Sequence, residues 1–182
     1  GKELKSLSGR ALKTARSKIA WIPQDLGLVP NLRVNQNIAC GRASEKGFLG
    51  LMRSLLLMGS REKEEVADLL KRVGIKEKIF HRVDHLSGGQ QQRVAIARAL
   101  YQRPEMILAD EPVSSVDPER AKSLVELLIG LAREEGQTLV MSLHDIDLAK
   151  RYFDRVIGLR EGQVVMDGAP DQIDLTQLYD LS

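Results

Sequence analysis

The chain has 182 residues, of which 43% are hydrophobic and 29% charged, with a formal net charge of +2. That length fits one domain that buries about 70% of its unfolded surface, and its mixed Lys/Arg and Asp/Glu residues form no basic block of the kind that marks a nucleic-acid binder. Its lone cysteine, Cys40, excludes an internal disulfide and fits a reducing compartment, while no run approaches the 18 uninterrupted apolar residues of a membrane span.

In chain order, Gly1-Lys2-Glu3 opens no secretory signal, since no apolar run follows. Ile19 to Ile22 is the first β-rich run. Residues from about 31 to 86 read as helical, and the greasiest stretch there, Phe48 to Met58, is interrupted by Arg53. Val66, Leu69, Leu70 and Val73 repeat at i, i+3, i+4, i+7, and Gly74 fits a helix stop. Met106 to Ala109 and Thr138 to Leu143 are nearly continuous apolar runs, which predicts parallel strands buried on both faces. Between them, Ala121, Leu124, Val125, Leu128 and Leu131 mark a helix opened by Asp117 as cap and Pro118 in its first turn. Arg155 to Leu159 and Gln163 to Met166 flank Glu161-Gly162 and read as a hairpin. Strands at the start and in the second half, with helices between, predict an α/β core with a helical insertion.

Four local patterns carry chemistry. In Leu86-Ser87-Gly88-Gly89-Gln90, Ser87 and Gln90 form a capping box. The two glycines leave backbone amides open at a helix N-terminus, which is suited to an anion. Asp110 and Glu111 end an apolar strand, so that one carboxylate can serve a Mg²⁺ shell and the other an attacking water. Ligands of open α/β sheets gather at that end of the strands. His144 follows the next apolar run, where a neutral imidazole can touch a terminal phosphate or orient water. Gln24 follows the first run, and its amide oxygen can coordinate Mg²⁺ or water. Taken singly, each has an ordinary reading: a capped helix, a polar strand end, a structural histidine, a loop glutamine.

Taken in order, these motifs resemble the ABC ATPase family over essentially the whole chain. Gln24 matches its Q-loop, residues 86–90 its signature motif, Asp110 its Walker B aspartate and Glu111 its catalytic glutamate. Residues 114–117 match its D-loop and His144 its switch histidine. The resemblance implies a P-loop NTPase (RecA-like) α/β core, residues 1–24 and 93–182, with a mainly parallel sheet. A helical signature subdomain, residues 25–92, is inserted in it, and the whole is a single partial domain. It also implies ATP and Mg²⁺ as cofactors. Glu111 and His144 become catalytic residues; Gln24, Ser87, Gly88, Gly89, Gln90 and Asp117 contact nucleotide; Asp110 and Gln24 hold the metal, partly through water. Implied partners are transmembrane permease subunits, a second ATPase subunit on which the signature motif acts in trans, and indirectly a periplasmic or extracellular solute-binding protein, with no nucleic acid. The implied location is the cytoplasmic face of the cell membrane, as a peripheral subunit. Residues 8–24, 37–42, 86–100 and 142–149 look most like ATPases of phosphonate importers. Leu26, Leu28 and Val29 are candidates for the permease-docking surface, with core packing as the alternative.

The family's phosphate loop, Gly-x-x-x-x-Gly-Lys-Ser/Thr, should precede the Q-loop. The 182 residues contain no such run, and Gly1-Lys2-Glu3 is no remnant of it. The resemblance therefore implies an N-terminally truncated chain that lacks its first strands, exposes an apolar sheet edge and neither binds ATP tightly nor turns it over alone. One alternative is a non-catalytic chain that lends only its signature motif to a complete partner. Chromosome-maintenance and DNA-repair ATPases share the signature but interpose long coiled coils, whereas 62 residues without sustained heptads lie between Gln24 and Ser87.

Overall fold

A computed structural model describes residues 6–113 and 116–172. The chain divides into two compact units, Gly1–Ser142 and Leu143–Ser182.

The first unit opens with helix α1 (Gly9–Ser17), which runs into strand β1 (Ile19–Ile22). Three helices follow: α2 (Val34–Ala39), α3 (Ala43–Leu56) and α4 (Ser60–Arg72). Helix α4 buries Val66, Leu69 and Leu70, the stripe its spacing predicts, and stops where Gly74 takes φ +74°. Helix α5 (Gly88–Tyr101) leads to strand β2 (Met106–Asp110). Helix α6 (Pro118–Glu134) leads to strand β3 (Thr138–Ser142). Asp117 caps α6 as its sequence predicts, with its Oδ1 accepting from the Arg120 amide at 3.1 Å.

The three strands form a parallel sheet in the order β1-β2-β3. Helices α5 and α6 join the same apolar core as Ala20, Ile22, Ile107 and Ala109, with Leu139 and Met141 packed against it. Helix α5 is buried over most of its length: Gln92, Val94 through Ala97, and Ala99 through Tyr101 are all covered, as befits a central helix. The other face of the sheet differs from the expectation of strands covered on both sides. Trp21 is 62% exposed and Val140 50% exposed. The period-2 alternation of a strand sends these side chains away from the helical layer that buries their neighbours.

A second, polar centre joins α3, α4 and α5. Glu62 accepts from the Tyr101 hydroxyl at 2.9 Å and from Ser54 Oγ at 3.1 Å, and it pairs with Lys46. Beside it, Glu65 takes Arg42 at 3.0 Å and Arg103 at 2.7 Å, and the Arg42 guanidinium lies 4.0 Å from the Tyr101 ring centroid. Burial and the neighbouring Glu62 carboxylate push the Tyr101 phenol well above its ordinary value. Burial alone would raise Glu62 and Glu65, but hydrogen bonds from Lys46 and Tyr101 to the first, and from Arg42 and Arg103 to the second, bring both below the ordinary carboxylate range.

The second unit holds helix α7 (Ile146–Tyr152), capped by Asp145 through the Leu148 amide at 3.0 Å. An antiparallel hairpin of β4 (Val156–Arg160) and β5 (Gln163–Gly168) follows. Its two-residue turn is the predicted Glu161-Gly162, both with positive φ, as a type I′ turn requires. Arg155 grips Asp167 with two bonds of 2.7 Å. No helix among the described residues is long and apolar enough to cross a membrane.

Candidate active site at the carboxyl ends of the strands

Parallel register sets the site. Asp110, the last residue of β2, pairs with Ser142, the last of β3. The Ser142 hydroxyl donates to Asp110 Oδ1 at 2.8 Å and accepts from the Glu111 amide at 2.8 Å. One hydroxyl thus fixes the carboxylate of one acidic residue and the backbone of the next.

Glu111 takes φ +44°, a left-handed conformation unusual for a residue with a side chain. That turn ends the strand and brings its carboxylate to Gln24, whose Nε2 donates to Oε2 at 3.2 Å. Gln24 lies two residues beyond the end of β1. Gln24 and Asp110 are exposed and Glu111 is half-buried, so water and solutes reach the group. The structure thereby brings together three of the sequence-predicted residues, Gln24, Asp110 and Glu111.

The loop after Gln24 is built tightly. Leu26 and Gly27 both have positive φ, and Gly27 donates its amide to Asp25 Oδ1 at 3.0 Å. Arg98 of α5 donates to the carbonyls of Leu26 and Gly27, each at 2.6 Å. Leu26 and Leu28 pack against the core, so of the three residues expected to face a partner only Val29, 46% exposed, has the surface for it. The loop needs both leucines to anchor its turn. A cluster of exposed apolar side chains sits instead on and just beyond α3: Phe48, Leu49, Met52, Leu56 and Leu57.

Ser87, Gly88, Gly89 and Gln90 form the start of α5. Both capping-box bonds are present: the Gln90 amide donates to Ser87 Oγ at 3.4 Å, and the Ser87 amide to Gln90 Oε1 at 3.1 Å. Ser87 and Gly88 are exposed. A Cβ added at Gly88 or Gly89 would meet nothing within 4 Å, and neither has a positive φ. Among the described residues nothing requires glycine at these first two helical positions. Open backbone here suits the close approach of another molecule.

Asp117 is engaged as the cap of α6 and also pairs with the Arg120 side chain at 3.2 Å. Ser114 and Ser115, matched with it to the D-loop, lie outside the described residues, as do Gly1, Lys2 and Glu3. His144 is exposed and belongs to the second unit, directly before the Asp145 cap of α7.

Sequence reasoning missed Ser142, Gln92 and Arg98. Gln92 is buried and donates to the Pro112 carbonyl at 2.9 Å, behind Glu111. The register of two apolar runs, each ending in a polar residue, is the signal that finds Ser142. Gln92 and Arg98 lie within a recognisable helix, and nothing local in the sequence says which loops they reach.

The donor set suits a particular kind of metal site. Among the described residues no cluster of three or more His, Cys, Asp or Glu could hold an ion unaided. Asp110 and the amide oxygen of Gln24 offer two hard oxygens on an exposed rim, which fits Mg²⁺, an ion that keeps several waters and is held by one or two protein oxygens together with substrate phosphates.

The family description "ABC transporter" matches residues 1–114. The chain belongs to the ABC transporter family. Among curated ABC relatives, it is 43% identical over 174 residues to "Phosphonates import ATP-binding protein PhnC" of Thiobacillus denitrificans, covering 95% of this chain and 66% of that protein. It is likewise 43% identical over 171 residues to "Phosphite import ATP-binding protein PxtA" of Stutzerimonas stutzeri, covering 94% of this chain and 61% of that one. The chain thus spans about two thirds of the length of the curated relatives it matches. The ABC fold is confirmed by a solved structure, the ATP-binding cassette MJ0796 as a post-hydrolysis dimer bound to ADP and Pi. It superposes with a TM-score of 0.73 at 32% identity, over 91% of this chain and 68% of that one.

Proposed function

We propose that this chain is the ATP-binding and ATP-hydrolysing subunit of an ABC importer, coupling hydrolysis to the uptake of phosphonate or a related oxyanion. The observation that carries the reading is the meeting of Gln24, Asp110 and Glu111 at the carboxyl ends of parallel strands, where α/β sheets bind their ligands. Relatives named for phosphonate and phosphite import support the solute class.

Glu111 is the group placed to accept a proton from the attacking water, and the Gln24 amide holds its carboxylate in place. Mg²⁺, when bound with ATP, neutralises phosphate charge; Asp110 and the Gln24 amide oxygen are the residues that would hold it. Asp110 is oriented for that by the Ser142 hydroxyl. His144 steadies the terminal phosphate, and Asp117 links the two sites of an ATPase pair. The turn Ser87–Gln90 presents a hydroxyl and bare amides at a helix N-terminus, so it binds the γ-phosphate of ATP held by a second ATPase subunit. Positioning and electrostatics supply most of the rate.

Residues 25–92 act as a helical subdomain that passes motion to a permease. The apolar side chains of α3 (Phe48, Leu49, Met52 and Leu56) are the surface for that permease's cytoplasmic loops. The protein works at the cytoplasmic face of the membrane, in a complex served by an external solute-binding protein and without nucleic acid.

A second reading, in which the chain lends only its signature turn to a complete partner, is favoured by the open backbone at Gly88 and Gly89, where an added Cβ would meet nothing within 4 Å. One experiment addresses both. The chain is mixed with an intact ABC ATPase subunit whose own signature serine has been replaced, and Mg-dependent ATP turnover is measured. Recovery of turnover, and its loss with Gly89→Ala at unchanged thermal stability, supports signature action in trans. Further loss with Glu111→Gln in this chain supports the catalytic reading over the signature-only one. No recovery at any ratio rejects both.

A further inference from the structure

Helix α5 touches the candidate site from behind at two places, neither of which is part of the site itself. Gln92, one turn in from the signature glycines, donates to the Pro112 carbonyl, the residue after Glu111. Arg98, nearly two turns further on, donates to the Leu26 and Gly27 carbonyls in the loop that begins with Gln24. The two loops are the ones that meet in the Gln24–Glu111 hydrogen bond. Each holds residues in left-handed backbone, Leu26 and Gly27 in one and Glu111 in the other, a conformation that persists only when the surroundings fix it.

The anchoring is stiff. Gln92 is buried, so its amide bond is shielded from water. Arg98 is half-buried, and the two carbonyls accept from both of its terminal nitrogens. A Cβ at Gly41 would run into the Arg98 carbonyl, so the turn at 40–42 lies directly on the helix at this point. Gln92 and Arg98 are separated by six residues, or roughly 9 Å along the helix. A shift or rotation of α5 therefore moves both loops together.

We infer that Gln92 and Arg98 are positioning residues that set the Gln24–Glu111 contact, and that α5 is the beam through which an event at the Ser87–Gly89 turn is felt at that contact. The kinetic part rests on the ATPase reading; the mechanical part does not. Occupation of the turn by a phosphate pulls on the N-terminus of α5, and Gln92 and Arg98 carry the displacement to Glu111 and to the Gln24 loop. Neither side chain is needed to touch nucleotide.

Two measurements on the same variants test this. The first is amide hydrogen exchange on the chain itself, without nucleotide. Gln92→Met should speed exchange at Glu111 and Val113 at least tenfold. Arg98→Met should do so across residues 24–29, and in both variants the amides in the middle of α5 should keep their protection. Unchanged exchange in those loops overturns the inference, as does loss of protection throughout α5. Where Arg98→Met does not fold, Arg98→Lys, which can reach one carbonyl as a point donor, takes its place with a smaller expected rise.

The second is ATP turnover in the mixture with an intact subunit described above. Each variant should lower kcat about tenfold with KM for ATP within twofold, and Arg98→Lys should recover part of that loss. In a Gln24→Ala background, each should cost less than twofold, because the contact it serves is already gone. Losses that multiply in full in that background, or a rise in KM at constant kcat, overturn the inference. If the unsubstituted chain supports no turnover in any mixture, the ATPase reading falls, and the exchange comparison still decides the linkage.

Discussion

The polar cluster at Tyr101 and the one at Glu111 are built from similar groups and put to opposite uses. Around Tyr101, the Glu62 carboxylate is ringed by Lys46, Ser54 and the phenol, and Glu65 by two arginines. The acceptors there are engaged and partly buried. Such a network stiffens helix packing and has little capacity left for a ligand. At the strand ends, Asp110 accepts from the Ser142 hydroxyl, Gln24 donates to Glu111, and both Asp110 and Gln24 are exposed. The difference teaches that charge alone does not mark a working site. Exposure at the carboxyl ends of the strands and a residue in left-handed backbone do.

The comparison predicts which substitutions harm activity and which harm stability. Glu111→Gln keeps the volume and removes the base. ATP turnover in the mixture should fall by about 10²–10⁴ while the thermal midpoint stays put; turnover within tenfold of the unsubstituted level would sink the catalytic assignment. Glu62→Ala should do the reverse. It leaves the Tyr101 hydroxyl without its acceptor and Lys46 with only Ser54 Oγ and the Tyr101 hydroxyl, at a cost of about 2 kcal/mol, readable as a lower urea midpoint at unchanged slope. Turnover per folded molecule should hold.

Ser142→Ala removes one bond to Asp110 and one from the Glu111 amide. On an exposed rim it should cost about 1 kcal/mol of stability, with a larger fractional loss of turnover than of stability. Acid should find the same division. Glu62 and Glu65 have pKa values below their unfolded ones, so their contribution is fully present above the unfolded carboxylate value and is lost as pH falls through the folded value. Unfolding free energy should therefore drop on acidification below about pH 4, and more shallowly in Glu62→Gln. Equal slopes for the two proteins would remove the Tyr101 cluster from the account.

Much of this was legible in the residues. All five β-rich runs became strands with ends shifted by at most two positions, because apolar patterning and flanking turns are local signals. The caps at Ser87 and Asp117, the stop at Gly74 and the Glu161-Gly162 turn are likewise written within four residues each. The meeting of Gln24 with Glu111 was anticipated only through motif order, since their separation along the chain is closed by β1–β2 pairing that no local pattern announces. Ser142, Gln92 and Arg98 escaped for the same reason: their partners lie 20 to 72 positions away. The exposed face at Trp21 and Val140 escaped because apolar runs state which residues avoid water, not what covers each side.

Trp21 is the chain's single tryptophan, 62% exposed on β1 three residues before Gln24. An indole so placed is a built-in optical gauge. In the chain by itself its emission should sit at long wavelength and be readily quenched by iodide. Any protein layer that settles over this side of the sheet should move the emission to the blue and shield it, with no label attached.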